Sequence, residues 1–222
     1  MKKIPFNPSY IGVRSDLIRL IKGDSLSILD VGCANGANGK FLKDKNIVDI
    51  VYGIEYDSEM AEISKTYYDN VLIGDLNSSE FLNKIIDIKL KFDYIIFGDI
   101  LEHLIDSELV LKTICTNLLK DNGEVIISVP NIAHIELFIQ VYIKGTWPRN
   151  SRGIFDKTHL TWFTKKDALT IVENSNLKLI NYYSNYRSRD AIGSKFTFFY
   201  KILRLINKNW FIFQHIMICK KN

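Results

Sequence analysis

Short runs rich in Ile and Val recur along the chain at 26–31, 48–54, 70–73, 92–97 and 124–129, each bounded by Gly, Asp or Asn. Runs this short and this continuously apolar suit strands covered on both faces, as in a parallel sheet. Between them, apolar residues fall at helical spacing over 38–45, 58–68, 78–86 and 106–119, with N-caps expected at Ser58 and Asp106. Strand and helix alternate five times, which predicts an α/β fold with a doubly wound sheet.

Further segments complete the pattern. Ahead of the first strand, 9–22 places Ile11, Leu17, Ile18 and Ile21 on one face and predicts a leading helix packed on the sheet. Asn122 and Gly123 read as a turn before the fifth strand. After Asn131 comes a helix-like stretch, 132–144, then a connection at 145–157 too irregular for scaffold. A helix over 165–174 follows its cap Thr164, and β-like runs at 177–186 and 211–219 end the chain.

Composition narrows the class. With 222 residues, 47% of them apolar, one core and one domain spanning 1–222 are expected. The 29 basic and 25 acidic residues are interspersed, so the net charge of +4 marks no nucleic-acid surface. Cys33, Cys115 and Cys219 are widely spaced and form no CxxC pair, as in reduced cytosolic thiols. The N-terminal lysines precede no apolar stretch, and no run is long enough to span a bilayer, so a cytoplasmic location is expected.

The glycine-rich turn LDVGCANGANG, 29–39, has the position of a nucleotide cradle but neither the P-loop pattern nor G-x-G-x-x-G. Asp30 at the strand end would repel a pyrophosphate and attract an ammonium group. S-adenosylmethionine (SAM) meets that demand, having an ammonium, a sulfonium and a ribose but no phosphate. D-x-G-x-x-x-G, here Asp30, Gly32 and Gly36, resembles motif I of the class I SAM-dependent methyltransferases, with Ala34 in the slot of a frequent middle glycine.

The resemblance runs from about 28 to 179. It implies a Rossmann-like seven-stranded sheet with the last strand antiparallel, and S-adenosylhomocysteine as product. Glu55, ending the second strand in VYGIEYD, would accept the ribose hydroxyls. Asp75, in IGDL, would take the adenine amino group, with the Leu76 backbone NH facing the ring. FDYIIFGDILEHL, 92–104, resembles motif IV and places Asp99 beside the methionine part.

Methyl transfer is an in-line displacement at sulfonium, so the protein aligns the acceptor and, for a hydroxyl, removes its proton. His103 and His159 are the candidate bases. The alternatives are a His103 that fixes its turn and a His159 paired with Asp156 to pin a lid. FDKTHLTWFT resembles a segment of methyltransferases that act on sugars and polyketide-type products. His134 reads as facing the acceptor or as a surface position on a helix, and Asn131 as an acceptor contact or a turn residue.

Asp99, Glu102 and His103 also follow the E-x-x-E-H spacing of metal-assisted O-methyltransferases, with Asp replacing the first Glu and His159 completing the set. A divalent metal is thus an alternative to a metal-free site, and Glu102 an alternative first-turn helix acid.

The segment 131–163, with Trp147, Pro148, Arg149 and Arg152, is expected to be the acceptor-side lid, and 190–208 a C-terminal helical insertion. Within it, 194–208 places Phe196, Phe199, Tyr200, Leu203 and Ile206 near one face beside Lys195, Lys201, Arg204 and Lys208. That stretch suits peripheral membrane contact or packing on the sheet.

The leading expectation is a SAM-dependent O-methyltransferase of a small molecule or glycan, including a cell-surface polysaccharide or a lipid-linked intermediate. The alternatives are a metal-assisted RNA 2'-O-methyltransferase and a SAM-binding protein without turnover, with an NAD-dependent oxidoreductase last for want of G-x-G-x-x-G. Nothing in the sequence sets the oligomeric state.

Overall fold

In the computed structural model, which describes residues 11–190 and 198–222, the five apolar runs form parallel strands. These are β1 (Leu26–Val31), β2 (Val48–Glu55), β3 (Asn70–Ile73), β4 (Phe92–Gly98) and β5 (Leu119–Pro130). β6 (Leu177–Tyr186) and β7 (Ile212–Lys221) complete a seven-stranded sheet ordered β3-β2-β1-β4-β5-β7-β6. β7 runs antiparallel to both of its neighbours. This is the doubly wound, Rossmann-like architecture with an antiparallel last strand.

Eight α-helices are described: α1 (Ser15–Ile18), α2 (Ala37–Asp44), α3 (Ser58–Ser64), α4 (Ser79–Ile86), α5 (Ser107–Leu118), α6 (Ile135–Leu137), α7 (Lys165–Asn174) and α8 (Phe198–Ile206). The period-2 geometry of the central strands sends successive residues to opposite cores. Leu29, Ile95 and Ile127 pack with Phe81 and Ile85 of α4, Leu111 and Ile114 of α5 and Val172 of α7. Ile28, Ile96 and Ile126 pack on the other side with Leu17 of α1, Leu42 of α2 and Ala61 of α3. Each such side chain contributes about 1.5–3 kcal/mol, and burial on both faces explains why the strands read as unbroken apolar runs.

Several local expectations change. The expected leading helix contracts to α1, because Arg14 leaves helical geometry at ψ 66 and turns its guanidinium toward Asp99. Its expected residues 9 and 10, like 191–197 of the C-terminal insertion, lie outside the described residues. The cap of α3 is Asp57, whose carboxylate accepts from Glu59 and Met60 NH, and Ser58 is the first helical residue. Asp106 does cap α5, and Thr164 caps α7 in a reciprocal box with Asp167.

Asn122 and Gly123 lie inside β5, where register irregularities between Phe92 and Tyr94 absorb them, and not in a separate turn. The helix expected over 132–144 is a single α-turn, α6, continued by a π-helix over Phe138–Ile143. The excursion from the sheet opens and closes at one place: Asn131 bridges Phe163, and Ile132 NH donates to the Phe163 carbonyl.

Candidate functional site

The carboxyl ends of β3, β2, β1, β4 and β5 lie in a row, and open α/β sheets hold ligands at that edge. A surface hollow of about 590 Å³ lies at the opposite, amino edge, lined by Lys22, Lys91, Lys120, Asp93 and Glu124.

After β1, Gly32 and Gly36 adopt φ +79 and +82. A Cβ on Gly36 would sit 2.9 Å from the Ser64 Cα, and one on Gly32 would collide with the Ile100 side chain. The loop therefore needs glycine both for its left-handed turns and for close approach to its neighbours. Ala34 between them is also left-handed, at φ +46, and its NH donates to Glu55 Oε2 at 2.8 Å.

Glu55 itself is buried at the end of β2, with Oε1 accepting from Asp57 NH at 2.8 Å. Burial raises its pKa against the pull of these amides. Asp30 is buried as well, and its Oδ2 accepts from the Tyr68 hydroxyl at 2.7 Å and from Asn38 Nδ2 at 3.1 Å. Burial raises this carboxyl too, with Tyr68 and Asn38 drawing it back. Tyr68 also receives the Gly39 NH, so one phenol ties β1 to the start of α2. At the end of β3, Asp75 Oδ1 accepts from the backbone and side chain of Asn77, and Leu76 is buried beside it.

Asp99, just past β4, has φ +58. Its carboxylate accepts from Arg14 Nη1 at 2.9 Å, from Gln214 Nε2 at 2.6 Å and from Ser128 Oγ at 2.8 Å. Burial works against the Arg14 charge, yet Asp99 and Asp16 hold that guanidinium above its usual value. Arg14, Ser128 and Gln214 are residues the sequence reading missed. Gln214 had a signal, a polar residue inside the apolar run FIFQHIMI.

One turn beyond lies the 3-10 segment Leu101–His103. Glu102 is only 1% exposed, and neither carboxylate oxygen has a hydrogen-bond partner among the described residues. His159 Nε2 stands 3.9 Å from Glu102 Oε1, while its Nδ1 faces the Ile154 carbonyl at 3.3 Å. A carbonyl can only accept, so this contact favours the proton on Nδ1 and turns the Nε2 lone pair toward Glu102. The His103 ring meets His159 edge-on at 4.8 Å, with its own Nδ1 3.3 Å from the Thr158 carbonyl. Ligand atoms of Glu102, His103 and His159 all lie within 4.8 Å of one another.

Burial lowers both imidazoles, and His103 presses His159 down further, to about 4. Burial and the charge of Asp99 hold the Glu102 carboxyl well above the usual range. The 3.9 Å between His159 Nε2 and Glu102 Oε1 is too long for a direct hydrogen bond and leaves room for a cation between them.

The Asp156 carboxylate takes the Thr158 NH and hydroxyl, and that hydroxyl lies 3.1 Å from His103 Nδ1, so Asp156 reaches His103 through Thr158. Glu102 is no ordinary first-turn acid on a solvated helix, being deeply buried. His134 is on neither a surface nor an open site: it is buried, caps α6 through Nδ1 and reaches the Arg187 carbonyl through Nε2. Asn131 fixes a turn, accepting from Ala133 NH and donating to the Ile212 carbonyl. Arg149 and Arg152 are exposed.

A parallel sheet with an antiparallel β7, a glycine turn after β1 and acids at successive strand ends define the class I methyltransferase fold. Residues 12–182 match the family model described as a methyltransferase domain, and the chain belongs to that family. It is a class I SAM-dependent methyltransferase.

Solved structures agree in fold. A SAM-dependent methyltransferase from Archaeoglobus fulgidus shares 22% identity over 92% of this chain and 89% of its own, with a TM-score of 0.59. Magnesium protoporphyrin IX methyltransferase from Synechocystis, with bound S-adenosylhomocysteine, shares 14% over 94% and 80%, TM-score 0.60. A putative methyltransferase from Haloferax volcanii, in complex with its Trm112 activator, shares 13% over 92% and 85%, TM-score 0.61. No curated protein matches the chain in sequence.

Proposed function

We propose that the chain transfers the methyl group of SAM to a hydroxyl of a small molecule or glycan. The acceptor oxygen forms a bond to the methyl carbon as the sulfonium bond breaks. S-adenosylhomocysteine leaves, and the hydroxyl proton passes to His103 or His159. In this reading Asp30, Gly32, Gly36 and Asp99 flank the methionine part, Glu55 takes the ribose, and Asp75 with Leu76 takes the adenine. The segment 131–163 closes over the acceptor.

The observation that carries the reading is the pair of adjoining imidazoles at the end of β4, ring centroids 4.8 Å apart, which burial biases toward the uncharged form that accepts a proton. The test is transfer of labelled methyl from SAM to pooled small hydroxylated molecules, polysaccharides and RNA. Label is expected in the first two, falling by about 10²–10⁴ in His103→Ala or His159→Ala with SAM affinity retained. Label in RNA alone overturns the acceptor class, and unchanged rates in both variants overturn the base.

A second reading has its own observation, the partnerless Glu102 carboxylate beside two imidazoles whose Nδ1 atoms face backbone carbonyls. Glu102, His103 and His159 suit a divalent cation as one oxygen and two nitrogen ligands. Asp99, the fourth member the sequence suggested, accepts from Arg14, Ser128 and Gln214. A bound cation lowers the pKa of an acceptor hydroxyl. Manganese binding followed by electron paramagnetic resonance, abolished in Glu102→Gln, is the expected result; a signal identical to free manganese removes the metal.

A further inference from the structure

We propose that the outer face of α8 docks on the surface of an anionic phospholipid bilayer. The inner face of the helix is anchored. The Tyr200 hydroxyl accepts from Arg189 Nη1 at 3.3 Å, the Tyr200 ring meets Phe211 edge-on, and Arg204 lies 5.2 Å from the Tyr186 ring. Leu203 is half-buried on this side. Arg189 also grips Glu136 of α6 at 2.6 and 2.8 Å, which ties the helix to the excursion that carries His159.

Of the apolar face expected from the sequence, Tyr200 and Leu203 are docked on the fold, whereas Ile206 turns outward. A second stripe, Ile202, Leu205 and Ile206 at i, i+3 and i+4, faces outward at 43, 87 and 68% exposure, and Trp210 follows at 38%. Large apolar side chains gathered in this way mark an interaction surface more often than singly scattered ones do.

Charge selects the occupant. Lys201 within α8 and Lys208, which opens the 3-10 turn after it, are both exposed, and from residue 191 to the end the chain contains no Asp or Glu. A twofold contact between two copies would pair this patch with itself and crowd lysines together with no acid of the segment to meet them. A bilayer with anionic headgroups supplies both parts, an apolar layer shallow enough for one helix face and phosphates for the lysines. Trp210 has the amphipathic ring that favours the headgroup level. No helix among the described residues is long and apolar enough to cross a membrane, so the contact is peripheral.

Flotation of the full chain with vesicles of phosphatidylcholine, alone or mixed with phosphatidylglycerol, tests this. The chain is expected to float with the mixed vesicles only, and salt should release it. The double variant Leu205→Glu, Ile206→Glu should lose at least about tenfold in binding, and Lys201→Glu about fivefold or more, with thermal midpoints unchanged. Equal flotation on both vesicles, or none on either, overturns the proposal. So does a dimer in ultracentrifugation that the double variant converts to monomer, since the stripe would then be covered by a second copy.

Discussion

Asp30 and Glu55, on the β1–β2 side of the carboxyl edge, accept from donors of their own fold, whereas Glu102, past the end of β4 and as deeply buried, accepts from none. The first arrangement builds a cradle: the carboxylates hold the glycine loop and α2 in place, and each bond to a charged group is worth about 1.5–3 kcal/mol. The second stores an unmet demand, because a buried ion without partners costs several kcal/mol and is relieved by a proton or a cation. One side of the edge braces its own backbone, and the other leaves a buried carboxylate without a hydrogen-bond partner among the described residues.

The sharpest way to break this contrast is Glu102→Met, which keeps length and removes charge. Methyl transfer should fall about 10³-fold while stability to denaturant rises by about 1–3 kcal/mol. A variant that is both more stable and fully active would show that the orphan carboxylate serves nothing. On the other side, Glu55→Ala strands two amides and should cost about 2–3 kcal/mol of stability. A SAM affinity reduced beyond that loss, read by calorimetry, would show that Glu55 touches ligand as well as loop.

His215 on β7 supplies a control: among the described residues its buried Nε2 has no hydrogen-bond partner, and no ligating cluster surrounds it. Its Nδ1 meets the Tyr182 hydroxyl at 2.6 Å, which Ser184 also contacts, and Lys165 stands over the Tyr182 ring. Burial first, and then Lys165, lowers its pKa from 6.5 to about 4. Below pH 6.5 the unfolded imidazole takes up a proton that the folded one refuses until about 4, so stability from this residue is full above 6.5 and falls through that window. Between pH 7 and 5 the chain should lose about 2 kcal/mol more than His215→Leu, measured by urea unfolding.

The smallest effect belongs to Ala34→Gly. Relief of a left-handed alanine, about 1 kcal/mol, is largely offset by the added freedom of an unfolded glycine. A gain under about 1 kcal/mol with SAM affinity within about twofold is expected; a large drop in affinity would mean that the alanine methyl itself touches the cofactor.

Much of the frame was legible in the order of residues. The apolar runs gave the first five strands because those strands are covered on both faces, and Asp106 and Thr164 marked helix starts because an N-cap is a local bond. The candidate acids at strand ends were visible because the α/β pattern itself says where strands end. Less visible were the partners. Nothing near Asp30 in sequence announces Tyr68, 38 residues away, and nothing near Asp99 announces Gln214, 115 residues away. The π-helix at Phe138–Ile143 escaped because its residues carry ordinary helical spacing.

The sequence by itself determined the class of fold, the glycine loop and which residue types gather at the carboxyl edge, since these depend on periodicity and short-range chemistry. Tertiary structure alone decided which carboxylate is satisfied and which is left wanting. Hydrogen bonding and desolvation depend on neighbours that the chain brings together from far apart, so three acids that look alike in sequence became two braces and one open demand.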